Sequence, residues 1–279
     1  MKLSFFTPST FDPACEFGAA SFGFAGAEDP TAHTHKEYPI EIDGTVLHGS
    51  YEEILSALPK DTFQAGIVLL GNAGGENEFV RTLSTRLSVP LTGGAAAFTD
   101  KSGLLCGGGQ AALALLNDSR YDIRVISENI HTPLSSHRIG FTHPRTLDTI
   151  DGEDALNWYT AKRKALGLSE DDFEHLTLTD PWGINAHLSV SKGKLCSGRD
   201  LEPEMELRYV APKDVYPKMQ AFYDDPHAVV FGCAGLKGIL PTNISAPGLG
   251  LFMFGEVCTM GARSDFGNLM LSKLQIIPK

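Results

Sequence analysis

The chain has 279 residues, of which 42% are hydrophobic and 20% charged, and this balance excludes a disordered protein and predicts one or two globular domains. The formal net charge of −11 disfavours nucleic acid and anionic membrane surfaces as partners. No apolar run approaches the roughly 20 residues that span a bilayer, and Pro8 comes too early for a signal-peptide core. The sequence therefore predicts a cytoplasmic protein.

Cysteine and histidine spacing gives no sign of a metal centre or cofactor. The five cysteines lie far apart and form no Cys-x-x-Cys pair, so reduced thiols are expected. His33 and His35 form the one tight histidine pair, without an evident third ligand nearby. We predict no metal site and no cofactor.

The first half of the chain predicts alternating strands and helices. Residues 1–35 are expected to form an edge strand and a loose connection, and Asp43-Gly44 signals a hairpin turn. Ser50 and Glu53 suit a capping box, which predicts a short helix ending before Pro59.

A βαβ unit follows this short helix. Residues 65–70 form a continuous apolar run typical of a strand buried on both faces, and residues 76–87 have helical spacing. Gly93-Gly94 predicts a turn after the next apolar segment. Residues 104–116 resemble a hairpin, although the second half also suits a helix, and residues 121–128 alternate as a strand does.

The clearest helix lies at residues 153–166, with acids in its first turn, bases in its last turn and Gly167 as its C-terminal cap. Here we divide the chain into an N-terminal lobe, residues 1–150, and a C-terminal lobe, residues 151–279. Beyond it we expect a helix at 216–223 and strands around 182–195, 204–210, 228–233, 249–257 and 269–277. The predicted fold class is mixed α/β or α+β, with two lobes of mixed sheets flanked by helices.

Three chemically interesting side chains follow apolar runs in the last third of the chain. Cys233 ends one run, Glu256 follows another, and Asn268 closes the segment Asp265-Phe-Gly-Asn. Strands that stop at glycine-rich turns can bring backbone N–H groups and a carboxylate close to a small ligand. Glu256 could accept a ligand's amine or pair with an arginine such as Arg263.

These motifs resemble the FIST (F-box and intracellular signal transduction) domain family. The resemblance is carried by Pro226-x-Ala-Val-Val-Phe-Gly-Cys-Ala-Gly, by Pro247-Gly-Leu-Gly-Leu-Phe-Met-Phe-Gly-Glu-Val and by Phe266-Gly-Asn. Val89-Pro-Leu-Thr-Gly-Gly and the helix after Asp151-Gly152 are also similar to family motifs. The match runs from about Ala65 to the end, and the chain looks shorter at its N-terminus than a full family member.

Three features depart from the family pattern, one of which is Val257-Cys258 in place of a more usual proline-containing turn after Gly-Glu. Leu236 stands where a basic residue usually follows Cys-Ala-Gly, and Gly267 replaces the histidine before Asn268. The resemblance implies a small-molecule-binding sensory domain of bacterial signal transduction, with an amino acid or related metabolite as ligand and a separate signalling protein as partner. The implied ligand-binding residues are Gly94, Cys233, Gly235, Glu256 and Asn268.

An alternative hypothesis is that the protein is a cysteine-dependent hydrolase or transferase that uses Cys233 as its nucleophile. Catalysis would require a base within hydrogen-bond reach, and the nearest histidine in sequence, His227, is expected at the far end of the strand. The sequence therefore favours a binding protein over an enzyme. The run Ser135-Ser-His-Arg does not predict a triad, because triad members are assembled in space.

Overall fold

The protein has an α+β fold, as predicted. The structure, a computed structural model, describes residues 2–8, 19–23, 35–37, 40–71, 74–96, 109–169, 175–237, 249–253 and 255–279. The helices in these ranges are α1 (Tyr51–Ser56), α2 (Glu76–Leu87), α3 (Ala155–Ala165), α4 (Pro212–Tyr223) and α5 (Ala234–Lys237). Among the described residues, no helix has the length and apolar character needed to cross a bilayer.

The strands of the described residues are short and numerous. Those before α3 are β1 (Lys2–Pro8), β2 (Ala19–Gly23), β3 (His35–Glu37), β4 (Ile40–Glu41), β5 (Gly44–Ser50), β6 (Ala65–Gly71), β7 (Leu91–Ala96), β8 (Gln110–Leu116), β9 (Tyr121–Glu128), β10 (Thr132–Gly140), β11 (Thr146–Leu147), β12 (Thr149–Ile150) and β13 (Glu153–Asp154). Those after α3 are β14 (Leu176–Thr179), β15 (Asn185–Ala186), β16 (Leu188–Ser191), β17 (Lys194–Ser197), β18 (Glu204–Tyr209), β19 (Ala228–Cys233), β20 (Leu249–Met253), β21 (Glu256–Met260), β22 (Arg263–Gly267) and β23 (Leu271–Pro278).

Two sheets pack face to face and form the centre of the molecule. One has the strand order β22-β21-β7-β6-β8-β5 and the other the order β20-β19-β23-β9. Their facing side chains make one apolar core, in which Ile67 and Leu69 of the first sheet meet Phe231 and Leu274 of the second. Burying this surface is the main favourable term in the folding of the sandwich.

Helices cover both outer faces of this sandwich. Helices α1 and α2 pack on the first sheet, where Ile54, Phe79 and Leu83 are buried. Met219 and Phe222 of α4 pack on the second sheet. Strands β6 and β7 are parallel and α2 connects them, so the predicted βαβ unit is confirmed.

A separate antiparallel sheet lies between residues 132 and 209. Its order is β13-β12-β10-β18-β14-β15, and α3 closes over it with Tyr159 buried in a second core. A three-stranded sheet, β11-β17-β16, adds to the same core, and β1 to β4 pair in a further small sheet.

The two predicted lobes share sheets. Strand β9 pairs with β23, and β7 pairs with β21, although the members of each pair lie on opposite sides of residue 150 in the sequence. The division at residue 150 stays a prediction.

Two predicted turns in the first half are wrong. Asp43-Gly44 does not form a hairpin, because β4 pairs with β1 and β5 pairs with β8. The Asp43 N–H instead donates to Asp118. Gly93-Gly94 lies within β7, where a Cβ on Gly93 would sit 2.0 Å from the Val68 carbonyl oxygen. Gly93 therefore permits a close approach of β7 to β6, and neither glycine makes a turn.

Several predictions for the second half also need correction. The region 182–195, predicted to form strands, contains β15, β16 and β17. The strand predicted at 249–257 divides at Gly255 into β20 and β21, which belong to different sheets. Strands β10, β14 and β22 were not predicted. The first half of the hairpin predicted at 104–116 and the His33–His35 pair lie outside the residues whose side chains are described; the second half of that hairpin is β8.

Candidate functional site

Glu256 lies at the start of β21, in the middle of three neighbouring strands. Gly94 of β7 is its partner on one side and Gly267 of β22 on the other. The side chain is fully buried, and its Oε1 atom accepts a hydrogen bond of 2.7 Å from the Met270 backbone N–H. Two of the predicted ligand-binding residues, Gly94 and Glu256, therefore lie side by side on neighbouring strands.

The turn from Gly267 to Met270 folds over this carboxyl group. Leu269 has a φ of +56°, a left-handed conformation that directs the Met270 N–H back toward Glu256. Gly267 cannot carry a side chain here, because a Cβ would lie 2.6 Å from Ile184 Cγ2. Glycine at position 267 is thus required by local packing.

Cys233 ends β19 on the opposing sheet and places its thiol beside Glu256. The backbone N–H groups of Gly235 and Leu269 also point toward this sulfur and favour its thiolate. Burial has the larger effect, and together with the nearby Glu256 carboxylate it raises the pKa of the Cys233 thiol far above its ordinary value. The structure thus brings together the predicted residues Cys233, Gly235 and Glu256.

Burial is also the largest influence on the pKa of Glu256. It raises the pKa of the carboxyl group well above its usual range, although hydrogen bonds from Met270 and Cys233 act in the opposite direction. Oε2 makes no conventional hydrogen bond within the described residues, although the Cys233 thiol and the backbone N–H groups of Cys233 and Glu256 are near enough to interact with the carboxyl group.

Asn268 is in the same turn, but its side chain faces another neighbour. Its Oδ1 atom accepts a long hydrogen bond of 3.4 Å from the His187 backbone N–H. The amide also lies against the backbones of Gly198 and Gly255. No hydrogen bond described for Asn268 joins its amide to the thiol and carboxyl of the predicted site.

Sequence reasoning missed further polar groups near Glu256. Tyr223 at the end of α4 is fully buried, and burial together with the Glu256 charge raises the pKa of its phenol. Cys258 lies two residues after Glu256 on β21, and burial raises the pKa of its thiol. The alternation of a strand, which puts residues i and i+2 on one face, could have identified Cys258.

A row of hydroxyl groups lies next to Cys258, between the two sheets. The Ser272 Oγ atom lies 2.7 Å from Thr92 Oγ1 and 3.0 Å from Ser127 Oγ, and Ser127 also accepts the Thr259 N–H at 2.9 Å. With Cys258 these residues form what we call the polar seam. Most of the interface between the sheets is apolar, so the seam marks a place where polar groups are retained at the sandwich centre.

Other candidates from the sequence have structural partners. Arg263 does not pair with Glu256; its guanidinium donates to Asp265 at 3.0 Å. The His227 backbone lies just before β19, at the end opposite Cys233, as predicted. No group of three or more metal-ligating side chains occurs within the described residues.

Two surface clefts in the described part of the chain lie away from these residues. The larger, of about 770 Å³, runs between α2 and the β21–β22 hairpin, with Arg81, Thr85 and Arg263 among its lining residues. The smaller, of about 340 Å³, is on the neighbouring surface of α2. None of the five predicted ligand-binding residues lines either cleft.

No protein-family model matched the chain, and no curated protein matched it significantly.

Proposed function

We propose that this protein is a FIST-like sensory domain that binds a small molecule between its two central sheets, at Cys233, Gly235 and Glu256, with Gly94 and Asn268 in the adjoining backbone. The observation that carries the proposal is the Glu256 Oε2 atom, which is buried and makes no conventional hydrogen bond within the described residues. Leaving such an atom unsatisfied costs about 1–3 kcal/mol. A ligand that donates an N–H or O–H group to Oε2 recovers that energy.

The chemistry of Glu256 supports an amino acid or a related amine as the ligand. In the free protein burial favours the neutral acid, whereas an ammonium group beside the carboxyl favours the carboxylate. Binding of an amine would therefore release a proton from the site. Signalling follows if the ligand prefers one arrangement of the loops or sheets and a separate cytoplasmic partner recognises that arrangement.

The competing function, a cysteine-dependent hydrolase or transferase, receives less support. A nucleophilic cysteine needs a thiolate, but burial and the neighbouring carboxyl both raise the pKa of Cys233. The group next to the thiol is an acid, and His227 precedes the opposite end of β19. These features favour a passive wall of a binding site over an activated nucleophile.

A thermal-shift screen against amino acids and common metabolites tests the proposal. A ligand present at 100 times its Kd should stabilise the wild-type protein by about 2.7 kcal/mol. Glu256→Gln should lose most of this stabilisation because it cannot form the ionic contact. Glu128→Gln, which changes an exposed carboxyl on β9, should retain it. If no compound raises Tm, or if Glu256→Gln responds like the wild type, the proposal fails.

Alkylation separates the sensor from the enzyme. With iodoacetamide at about pH 6, native Cys233 should stay unmodified, while the half-buried Cys196 provides an internal comparison. Cys233→Ala should keep the ligand-induced rise in Tm. Rapid alkylation confined to Cys233 would favour the enzyme instead.

A further inference from the structure

A hydrogen-bonded serine, histidine and aspartate lie on the antiparallel sheet, within residues 132–209 and outside the proposed ligand site. The Ser135 Oγ atom is 2.6 Å from His137 Nε2, and His137 Nδ1 is 2.6 Å from Asp151 Oδ2. Ser135 and His137 are two residues apart on β10, so both side chains stand on the same face of the sheet.

The local fold holds Asp151 in place. Asp151 and Gly152 connect β12 to β13 with φ values of +52° and +85°, the signs that a type I′ hairpin turn requires. The other carboxylate oxygen, Oδ1, accepts the Arg138 backbone N–H at 2.9 Å, and the Asp151 N–H donates to the Arg138 carbonyl. The carboxylate is thus fixed against β10 by contacts that do not involve the imidazole.

These contacts determine which imidazole nitrogen carries the proton. Hydrogen bonds, first that from His137 and then that from the Arg138 backbone, lower the pKa of Asp151, so its carboxylate is ionised and can only accept. In the neutral imidazole Nδ1 must therefore be the donor, and Nε2 presents a lone pair to the Ser135 hydroxyl. This is the arrangement by which a histidine acts as general base toward a serine nucleophile.

The surroundings leave the serine end of this chain of hydrogen bonds accessible. The His137 side chain is only 10% exposed, and the Trp158 ring of α3 meets it edge-on at a centroid distance of 4.7 Å. Ser135 is half-buried, and a β-bulge at Leu134 interrupts the pairing of β10 with β18 next to it. Bulges of this kind redirect a neighbouring side chain.

We propose that Ser135, His137 and Asp151 form a catalytic triad that hydrolyses small carboxylic esters. Ser135 Oγ would attack the ester carbonyl carbon while His137 Nε2 takes the hydroxyl proton. The tetrahedral adduct would then collapse, the C–O bond to the alcohol would break, and the imidazolium would protonate the departing oxygen. Water, deprotonated by His137, would attack the acyl-serine and release the carboxylic acid and the Ser135 hydroxyl. Asp151 acts as a positioning residue throughout.

Labelling the full chain with a fluorophosphonate probe, followed by peptide mass spectrometry, tests the proposal without any variant. The adduct should map to Ser135. In Ser135→Ala it should disappear, and His137→Gln should slow labelling by about 100-fold or more, the usual contribution of a general base. Ser136→Ala, which removes the exposed neighbouring hydroxyl, should label at the wild-type rate. Tm values of the variants report whether they are folded.

Hydrolysis of p-nitrophenyl acetate separates the positioning role of Asp151 from a structural one. Asn tolerates a positive φ, so Asp151→Asn should keep the turn and the Tm. Its amide should nevertheless favour the wrong imidazole tautomer, and kcat should fall by about 100-fold or more while KM is unchanged. Wild-type protein that is not labelled at Ser135, or labelling that His137→Gln does not slow, would overturn the proposal.

Discussion

Burial removes the Glu256 carboxyl group from water and raises its pKa, which favours the protonated form in the folded protein. The unfolded chain releases that proton at the ordinary carboxyl pKa of about 4.3. The folded state therefore holds more protons than the unfolded state at any pH above this value and below the raised pKa of the folded state. Across that range the free energy of unfolding falls as the pH rises.

Glu256→Gln should remove this dependence, since a glutamine has no proton to lose. The difference in unfolding free energy between variant and wild type should shift in favour of the variant as the pH rises above about 4.3. The steepest change is about 1.4 kcal/mol for each pH unit. Urea denaturation at several pH values measures it, with the exposed Glu128→Gln as the control. A difference that is independent of pH would show that Glu256 is already ionised.

The hydrogen-bonded chain of Asp151, His137 and Ser135 could not be predicted from the sequence. Asp151-Gly152 is a strong turn signal, and the turn is present. The sequence does not reveal that this turn faces β10, because that depends on the register in which Ile139 pairs with Ile150. The same limit applies to Glu256, whose contact with Cys233 depends on how two sheets pack.

At the scale of elements, β7 depends on a glycine for its approach to β6. Gly93 has a φ of +124°, and a Cβ there would lie 2.0 Å from the Val68 carbonyl oxygen, which belongs to the backbone and cannot rotate away. Gly93→Ala should cost more than about 3 kcal/mol because the clash adds to backbone strain. Urea unfolding measures this cost.

Gly109 provides the matched control for this substitution. It also has a positive φ, of +75°, but a Cβ there would meet no atom within 4 Å. Gly109→Ala should cost only the backbone strain, about 1–2 kcal/mol. Equal costs for the two variants would show that β6 and β7 can separate to accept a methyl group.

Local chemistry explains which elements the sequence predicts well. Ser50 and Glu53 form the predicted capping box, and Gly167 follows α3 in a left-handed conformation. The apolar run of β6 is buried along its whole length, as its composition requires. In contrast, Asp43-Gly44 carries the same turn signal as Asp151-Gly152, but its flanking strands pair elsewhere, and no local pattern distinguishes the two cases.

At the scale of the whole molecule, a buried ionic network joins the sandwich to the antiparallel sheet. Asp265 of β22 accepts from Arg81 of α2 at 2.6 Å and from the fully buried Arg199 at 3.2 Å. Arg199 also donates to Asp180 at 2.9 Å. Asp265 therefore forms ion pairs with arginines from two distant parts of the chain, Arg81 and Arg199.

Asp265→Asn should be strongly destabilising, because it leaves Arg199 buried with half of its compensating charge. Removing one partner of a buried ion pair costs about 3–5 kcal/mol. Asp122→Asn, which breaks an exposed pair with Arg124, should change the unfolding free energy by less than about 1 kcal/mol. Guanidinium-induced unfolding of both variants compares them. Similar losses would mean that water reaches Arg199 in the variant.

Strand β23 lies between β19 and β9 and pairs with β9 along all eight of its residues. During translation, β9 leaves the ribosome on the order of 10 s before its partner is made, at typical elongation rates. Until then the apolar side of β9 has no sheet to join, and the sandwich cannot close. In this interval the nascent chain exposes an unpaired strand edge and apolar surface, both of which favour aggregation.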